Sequence, residues 1–402
     1  MFERGKAEYF HGRETEQVFF RNALEKAKNK SLGTSFLIQG SPGVGKTALL
    51  EKCKEIALEK KWGVVQIKPD GLWDAEQLKK YLKKEWKIKL EGINAKAAVH
   101  GIGVEASFSF TEKSVLQVLN SSKNPLLLVL DEAQHLKSIT KADFLFQDSV
   151  RKVLDELHNG GFKKPLLFAI GGLGHTINIF EQLGVSRFDG DFVFDLEALD
   201  KISERNIIRD FIYKEGGLSP TIGCDLWINK ISKQTHGWPQ HISAYGYSVS
   251  NYLKYKAKNM EGKQLTEDGL DDVLKDGSRK RFKYYEKRVA SFTKQEIKSF
   301  VEVLDKNKPL LPMNVEDIIN SFQKKYTLKK SEKLFENANE KGVFHRIPDG
   351  SYIIPIPSMH HWFVSGDWQV KAENLKRKEK EDLESVRYIP AFINSEKTSK
   401  KK

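Results

Sequence analysis

Apolar residues recur along this chain in two rhythms, and the alternation between them sets the first expectations. From Glu14 to Lys28 the positions Val18, Phe19, Ala23, Leu24 and Ala27 keep a 3.6-residue period, which predicts an amphipathic helix. The block Phe36-Leu-Ile38 then reads as a strand, and Leu49, Leu50, Cys53, Ile56, Ala57 and Leu58 return to helical spacing. Trp62 to Ile67 predicts a second strand. Pro125-Leu-Leu-Leu-Val-Leu130 and Pro165-Leu-Leu-Phe-Ala-Ile170 are continuous apolar runs, the pattern of parallel strands covered on both faces. A helix from about Asp143 to Leu157, stopped by Gly160-Gly161, separates them, and Phe192-Val-Phe-Asp-Leu196 closes the set. Strands alternating with helices on this scale predict an α/β fold, a doubly wound parallel sheet whose ligands gather at the carboxyl edge.

Other stretches are less regular. Ala75 to Lys87 reads as a basic helix, and Ala97 to Phe110 as a small-residue hairpin without an assigned role. Helical, more polar sequence runs from Ser203 to about Leu253, broken at His236-Gly-Trp-Pro239. Lys- and Glu-rich sequence from Tyr255 to Lys287 reads as linker plus helix. Beyond Thr293, Ile297, Phe300, Val301 and Leu304 mark one short helix, and Val315, Ile318, Ile319 and Phe322 a second. A third covers about Leu328 to Glu340 and carries Lys329, Lys330 and Lys333. Two β-leaning runs around Pro348-Asp-Gly350 follow, so three helices and a hairpin suggest a winged helix-turn-helix. The boundaries expected are 1–198 for the core, 199–288 for a helical lid and linker, 289–366 for the winged-helix-like domain and 367–402 for a charged tail.

Composition changes this picture modestly. The chain has 402 residues, 39% hydrophobic and 30% charged, enough for two or three domains. Two distant cysteines support neither a disulfide framework nor a zinc site, and a reducing cytoplasm is the simplest setting. The longest apolar run, Leu126 to Leu130, is far too short to span a bilayer, so no membrane role is expected. A net charge of +13 permits nucleic-acid binding, although much of it is Lys scattered over helix faces and the tail.

The chemistry lies in Gly40-Ser-Pro-Gly-Val-Gly-Lys-Thr47, which fits G-x-x-x-x-G-K-[ST] between a strand and a helix. Backbone N–H groups of Gly40, Ser41, Pro42's neighbours, Gly43, Val44, Gly45 and the helix start at Ala48 would cradle phosphates. Lys46 would reach the outer phosphates and Thr47 would ligate Mg²⁺. Asp131 and Glu132 close a buried-type strand; Asp131 is placed to complete the Mg²⁺ shell and Glu132 to activate a water for attack on the γ-phosphate. Asn229-Lys-Ile-Ser232 lacks the aspartate of the guanine motif and no L-S-G-G-Q appears, so ATP is the expected nucleotide.

The order of parts resembles AAA+ and STAND-type P-loop ATPases, in particular the origin-recognition-like branch. The resemblance covers roughly Phe10 to Val249 and extends weakly to Trp362. It implies that Phe10, His11 and Arg13 of Phe10-His-Gly-Arg-Glu14 lie over the adenine, a role that competes with a simple turn leading into a helix. It implies that Pro239 of the Gly-x-Pro motif sits in a lid over the nucleotide. It also implies an arginine finger at Arg187, acting across a subunit interface, against the reading of a surface arginine before a strand. No polar sensor follows Ile170; Gly171-Gly-Leu-Gly174 stands there, with His175 and Thr176 nearby. These features suggest an ATP-hydrolysing switch, slow as a monomer, that assembles with copies of itself and acts on double-stranded DNA through the winged helix. The competing expectation is a STAND-like signalling or defence regulator whose ATP state controls a protein effector. A third is nucleotide binding without turnover.

Overall fold

The computed structural model describes residues 9–30, 34–67, 119–120, 124–141, 144–159, 162–185, 188–257, 265–347 and 349–369. The basic helix expected over 75–87, the hairpin expected over 97–110, the Gly160-Gly161 stop, Arg187 and the tail from Lys371 lie outside these residues. The chain divides into two units, Met1–Glu197 and Ala198–Lys402.

In the first unit, strands β1 (Thr34–Gly40), β2 (Gly63–Ile67), β3 (Leu126–Leu130), β4 (Leu166–Gly172) and β5 (Val193–Leu196) form one sheet in the order β2-β3-β4-β1-β5. Every neighbouring pair is parallel. Because β1 stands between β4 and β5 while β2 lies at the far edge, the chain reverses direction across the sheet beside β1. Its carboxyl end therefore opens on a crevice, where an open α/β sheet holds ligands. Strands β3 and β4 are buried along their whole length, as their unbroken apolar runs require. Strand β4 runs two residues beyond the expected Ile170, because Gly171 and Gly172 still pair with Ile38 and Gln39.

Helix α1 (Glu14–Lys30) buries Phe20, Ala23, Leu24 and Ala27, a spacing of three, four and seven residues on one face. Val18, expected on that face, is 52% exposed. Three consecutive apolar residues satisfy two possible faces, and the edge-to-face contact of Phe20 with Phe36 on β1, centroids 5.1 Å apart, decides between them. Helix α2 (Lys46–Glu59) likewise buries Leu49, Leu50, Cys53, Ile56 and Ala57 but leaves Leu58 exposed at 59%. On the opposite side of the sheet, Leu37, Leu128 and Phe168 share a core with Val150, Val153, Leu154 and Leu157 of α3 (Phe144–Asn159) and with Ile179 and Phe180 of α4 (Thr176–Gln182). Each such fully buried side chain is worth about 1.5–3 kcal/mol.

The second unit is helical. Asp200 caps α5 (Lys201–Asp210) by accepting from Ile202 and Ser203 N–H, and a π-helical turn, Phe211–Glu215, ends it. Helices α6 (Asp225–Thr235), α7 (Pro239–Asn251) and the long α8 (Glu267–Val289) follow. Tyr285 of α8 hydrogen-bonds His241 of α7 at 3.0 Å. Then come α9 (Lys294–Lys306), opened by a Thr293–Glu296 capping box, α10 (Val315–Gln323) and α11 (Leu328–Glu340). Strands β6 (His345–Arg346) and β7 (Tyr352–Ile353) pair antiparallel, and Met313 bridges to Tyr352 beside them. A further helix, α12 (Pro357–Val364), not expected from the sequence, contributes Phe363 to an aromatic core around Phe300, Phe322 and Phe344. Tyr285 also hydrogen-bonds Ser358 on α12 at 2.7 Å. Among the described residues no helix is long and apolar enough to cross a membrane.

Candidate functional site

The loop between β1 and α2 can turn back on itself because Gly43 (φ 83°) and Gly45 (φ 101°) take left-handed conformations that a side chain would strain. Gly45 caps α2 without any side-chain hydrogen bond, so the first N–H groups of that helix receive no capping side chain. Such a helix start attracts anions through its unsatisfied donors and its dipole. Lys46 is only 8% exposed, and its ammonium donates to Gly40 O at 2.9 Å and Ser41 O at 3.0 Å, holding a positive charge inside the loop. The Ser41 hydroxyl is buried and has no hydrogen-bond partner. A buried cation, a helix start without a capping side chain and an orphaned hydroxyl fit a polyphosphate. Pro42 and Ala48 lie half-buried on the same loop and helix start.

Thr47, on the first turn of α2, donates its hydroxyl to Asp131 Oδ2 at 2.8 Å, and Glu132 N–H donates to Asp131 Oδ1 at 2.9 Å. Burial pushes the Asp131 carboxyl above its ordinary range, against the two hydrogen bonds. A threonine hydroxyl and a carboxylate in contact suit a hard divalent cation, which takes oxygen ligands. Glu132 is exposed, with φ 57°, and the Gln134 amide donates to its carboxylate. A left-handed glutamate costs about 1–2 kcal/mol, and strain of this kind gathers at functional sites.

Gly171 fills the position at the end of β4 where a polar sensor is absent. A Cβ there would lie 2.9 Å from Asp131 Oδ1 and 2.7 Å from Leu50 Cδ1. Neighbouring Gln39, 6% exposed, has a buried, unpartnered Oε1 beside the loop. Sequence reasoning noted Gly171 in the sensor position but missed Gln39, for which a glutamine on an otherwise apolar strand was the available signal.

The structure joins Arg13 to the loop through Val44 O at 3.3 Å. Phe10 and His11 lie half-buried on the segment before α1. Pro239 belongs to the second unit, as the first residue of α7. There, His236 (φ 50°) and Gly237 (φ 72°) form a left-handed turn after α6. Glu204, fully buried, accepts from Gly237 N–H at 2.6 Å and from the Ser232 and Thr235 hydroxyls. An acid on the same helix face as Ile207 and Ile208 was its sequence signal.

The AAA ATPase domain family matches residues 9–168. Among solved structures, the Aeropyrum pernix ORC2 protein in ADPNP–ADP complexes is similar with a TM-score of 0.51 at 13% identity, over 94% of this chain and 98% of that one. Its ADP form gives a TM-score of 0.52 at 14% identity, over 94% and 97%. At these identities the likeness is one of fold. No curated protein matches the chain.

Proposed function

We propose, on the premise that residues 9–168 form an AAA ATPase domain, that this chain is an ATP-hydrolysing switch that acts on double-stranded DNA through its carboxyl-terminal half. The observation that carries the reading is the meeting of Lys46, Thr47 and Asp131, with Glu132 beside them, at the carboxyl edge of the sheet. The ORC2 protein of similar fold was solved with ADPNP and ADP, which agrees with an adenine nucleotide. Mg²⁺, when bound with ATP, would supply charge neutralisation at the outer phosphates.

In this reading Lys46 exchanges its two carbonyl partners for phosphate oxygens. Thr47 and Asp131 are the side chains that would hold Mg²⁺, which would supply positive charge beside a carboxylate whose ionised form burial disfavours. Glu132, exposed beside them, orients and deprotonates the attacking water. A glycine at 171 adds no polar group, which supports slow turnover, the property of a switch more than of a motor.

The DNA reading is supported by helices α9 to α11, the β6–β7 ladder and exposed Lys329, Lys330 and Lys333 on α11. Three lysines on one exposed helix face are suited to phosphate contact. The test is binding of duplex DNA by the full chain over a salt series, with and without ATP·Mg²⁺. Steeply salt-dependent binding, weakened when those three lysines become Gln, is expected. ATP binding with no DNA binding at low salt would overturn the DNA reading in favour of a protein effector.

A further inference from the structure

Arg13 holds a conformation that a helix-leading turn does not require. Gly12 (φ 87°) and Arg13 (φ 62°) are both left-handed, and an arginine rarely adopts that backbone without compensation. The turn is braced from both sides: Gln17 N–H donates to Arg13 O at 3.0 Å and the Gln17 amide to Gly12 O at 3.1 Å. The Arg13 side chain is 11% exposed, and both terminal nitrogens of its guanidinium have partners. Nη2 donates to Val44 O at 3.3 Å and to Glu197 O at 2.5 Å, while Nη1 meets Glu16 Oε1 at 3.3 Å.

These contacts grip the phosphate loop at its apex. The other end of the loop is already wedged, because a Cβ on Gly40 would lie 2.9 Å from Leu196 O, the residue before Glu197. One guanidinium thus ties Val44, mid-loop, to the end of β5, and Glu16 fixes the orientation of the fork. A planar, trans peptide aims its C=O and N–H in opposite directions. Drawing Val44 O toward Arg13 therefore turns the Gly45 N–H away from it, fixing a donor amide next to Lys46.

We propose that Arg13 is a positioning residue that presets the phosphate-loop amides, and that it does not contact the base. This rests on the ATP-binding reading above. Its consequence is that Arg13 matters equally for any ligand bearing the same chain of phosphates, whatever base it carries.

The experiment measures binding of ATP, GTP and inorganic tripolyphosphate, each with Mg²⁺, to the full-length wild-type, Arg13→Ala and Arg13→Lys proteins. Arg13→Ala should weaken all three by the same factor, about tenfold, leaving the ATP-to-GTP ratio unchanged. Arg13→Lys, with one compact ammonium in place of a fork, should recover part of the loss for all three alike. Should Arg13→Ala fail to fold, the Arg13→Lys comparison over the three ligands carries the test. A loss confined to ATP, with tripolyphosphate unaffected, would make Arg13 a base contact and overturn the proposal. So would unchanged affinity for all three in a folded Arg13→Ala protein. Wild-type protein that binds none of the three would instead overturn the ATP reading itself.

Discussion

Thr47 on the first turn of α2 and Asp131 at the end of β3 are joined by a hydrogen bond of 2.8 Å. Asp131 lies in surroundings where burial disfavours its charge, against the hydrogen bonds from Thr47 and the Glu132 N–H. The folded-state pKa therefore lies above the unfolded value. Stability falls as pH rises from the ordinary aspartate pKa, about 3.9, through the raised one, and the full cost is present above it. Asp131→Asn keeps an acceptor for Thr47 and removes the charge. Calorimetry at pH 7 should show the nucleotide-free variant more stable by about 0.5–2 kcal/mol, with the gain disappearing below the ordinary aspartate pKa. Added Mg²⁺·ATP should stabilise the wild type and leave the variant unchanged. A variant less stable than wild type at pH 7 would contradict the burial argument.

Glu132 differs from its neighbour in being exposed and held in a left-handed conformation at φ 57°. Glu132→Gln keeps the shape and the contact with Gln134 but cannot take a proton. ATP affinity should stay within about twofold while steady-state phosphate release falls by 10²–10⁴, roughly the range for loss of a general base. Unchanged turnover would remove Glu132 from that role.

How far the sequence foretold these two residues depends on the range of the forces involved. The phosphate loop and the acids after Leu130 are written in contiguous residues, and the parallel sheet follows from unbroken apolar runs such as Leu126–Leu130. The face buried by α1 was harder, because Val18, Phe19 and Phe20 offer two apolar stripes and only Phe36, on another element, selects one. The approach of Gly171 to Asp131 depends on the register of β3 against β4, which puts Ile170 beside Leu130. The bond from Glu204 to Gly237 depends on how α5 meets the end of α6. No local pattern encodes either one.

Gly171 makes a sharp test of that register. A Cβ there meets Leu50 Cδ1 at 2.7 Å and Asp131 Oδ1 at 2.9 Å, both closer than packed atoms tolerate. Gly171→Ala should cost about 1–3 kcal/mol of stability through overpacking. It should also weaken Mg²⁺-dependent ATP binding more than Mg²⁺-free binding, because the displaced group is the Asp131 carboxylate. Equal weakening with and without Mg²⁺ would place the strain on Leu50 alone.

The left-handed turn at His236 and Gly237 gives the second unit a pH dependence of its own. Burial, with Arg281 of α8 and Lys201 of α5 adding positive charge nearby, pulls the His236 pKa down to about 4. His241, fully buried on α7, is lowered in the same way, chiefly by burial. In the unfolded chain an ordinary histidine titrates near 6.5. Below that value the unfolded state binds a proton that the folded state refuses, so stability falls as pH drops from about 6.5 toward 4, and it is complete above 6.5. For His236 the span amounts to on the order of 3 kcal/mol. His236→Asn suits the positive φ and carries no titrating group. Urea titrations of the second-unit transition at pH 5 and pH 7.5 should show a smaller difference in the variant than in the wild type. His241, lowered in the same direction, contributes to what remains. An unaltered difference would mean that His236 is solvated and titrates normally.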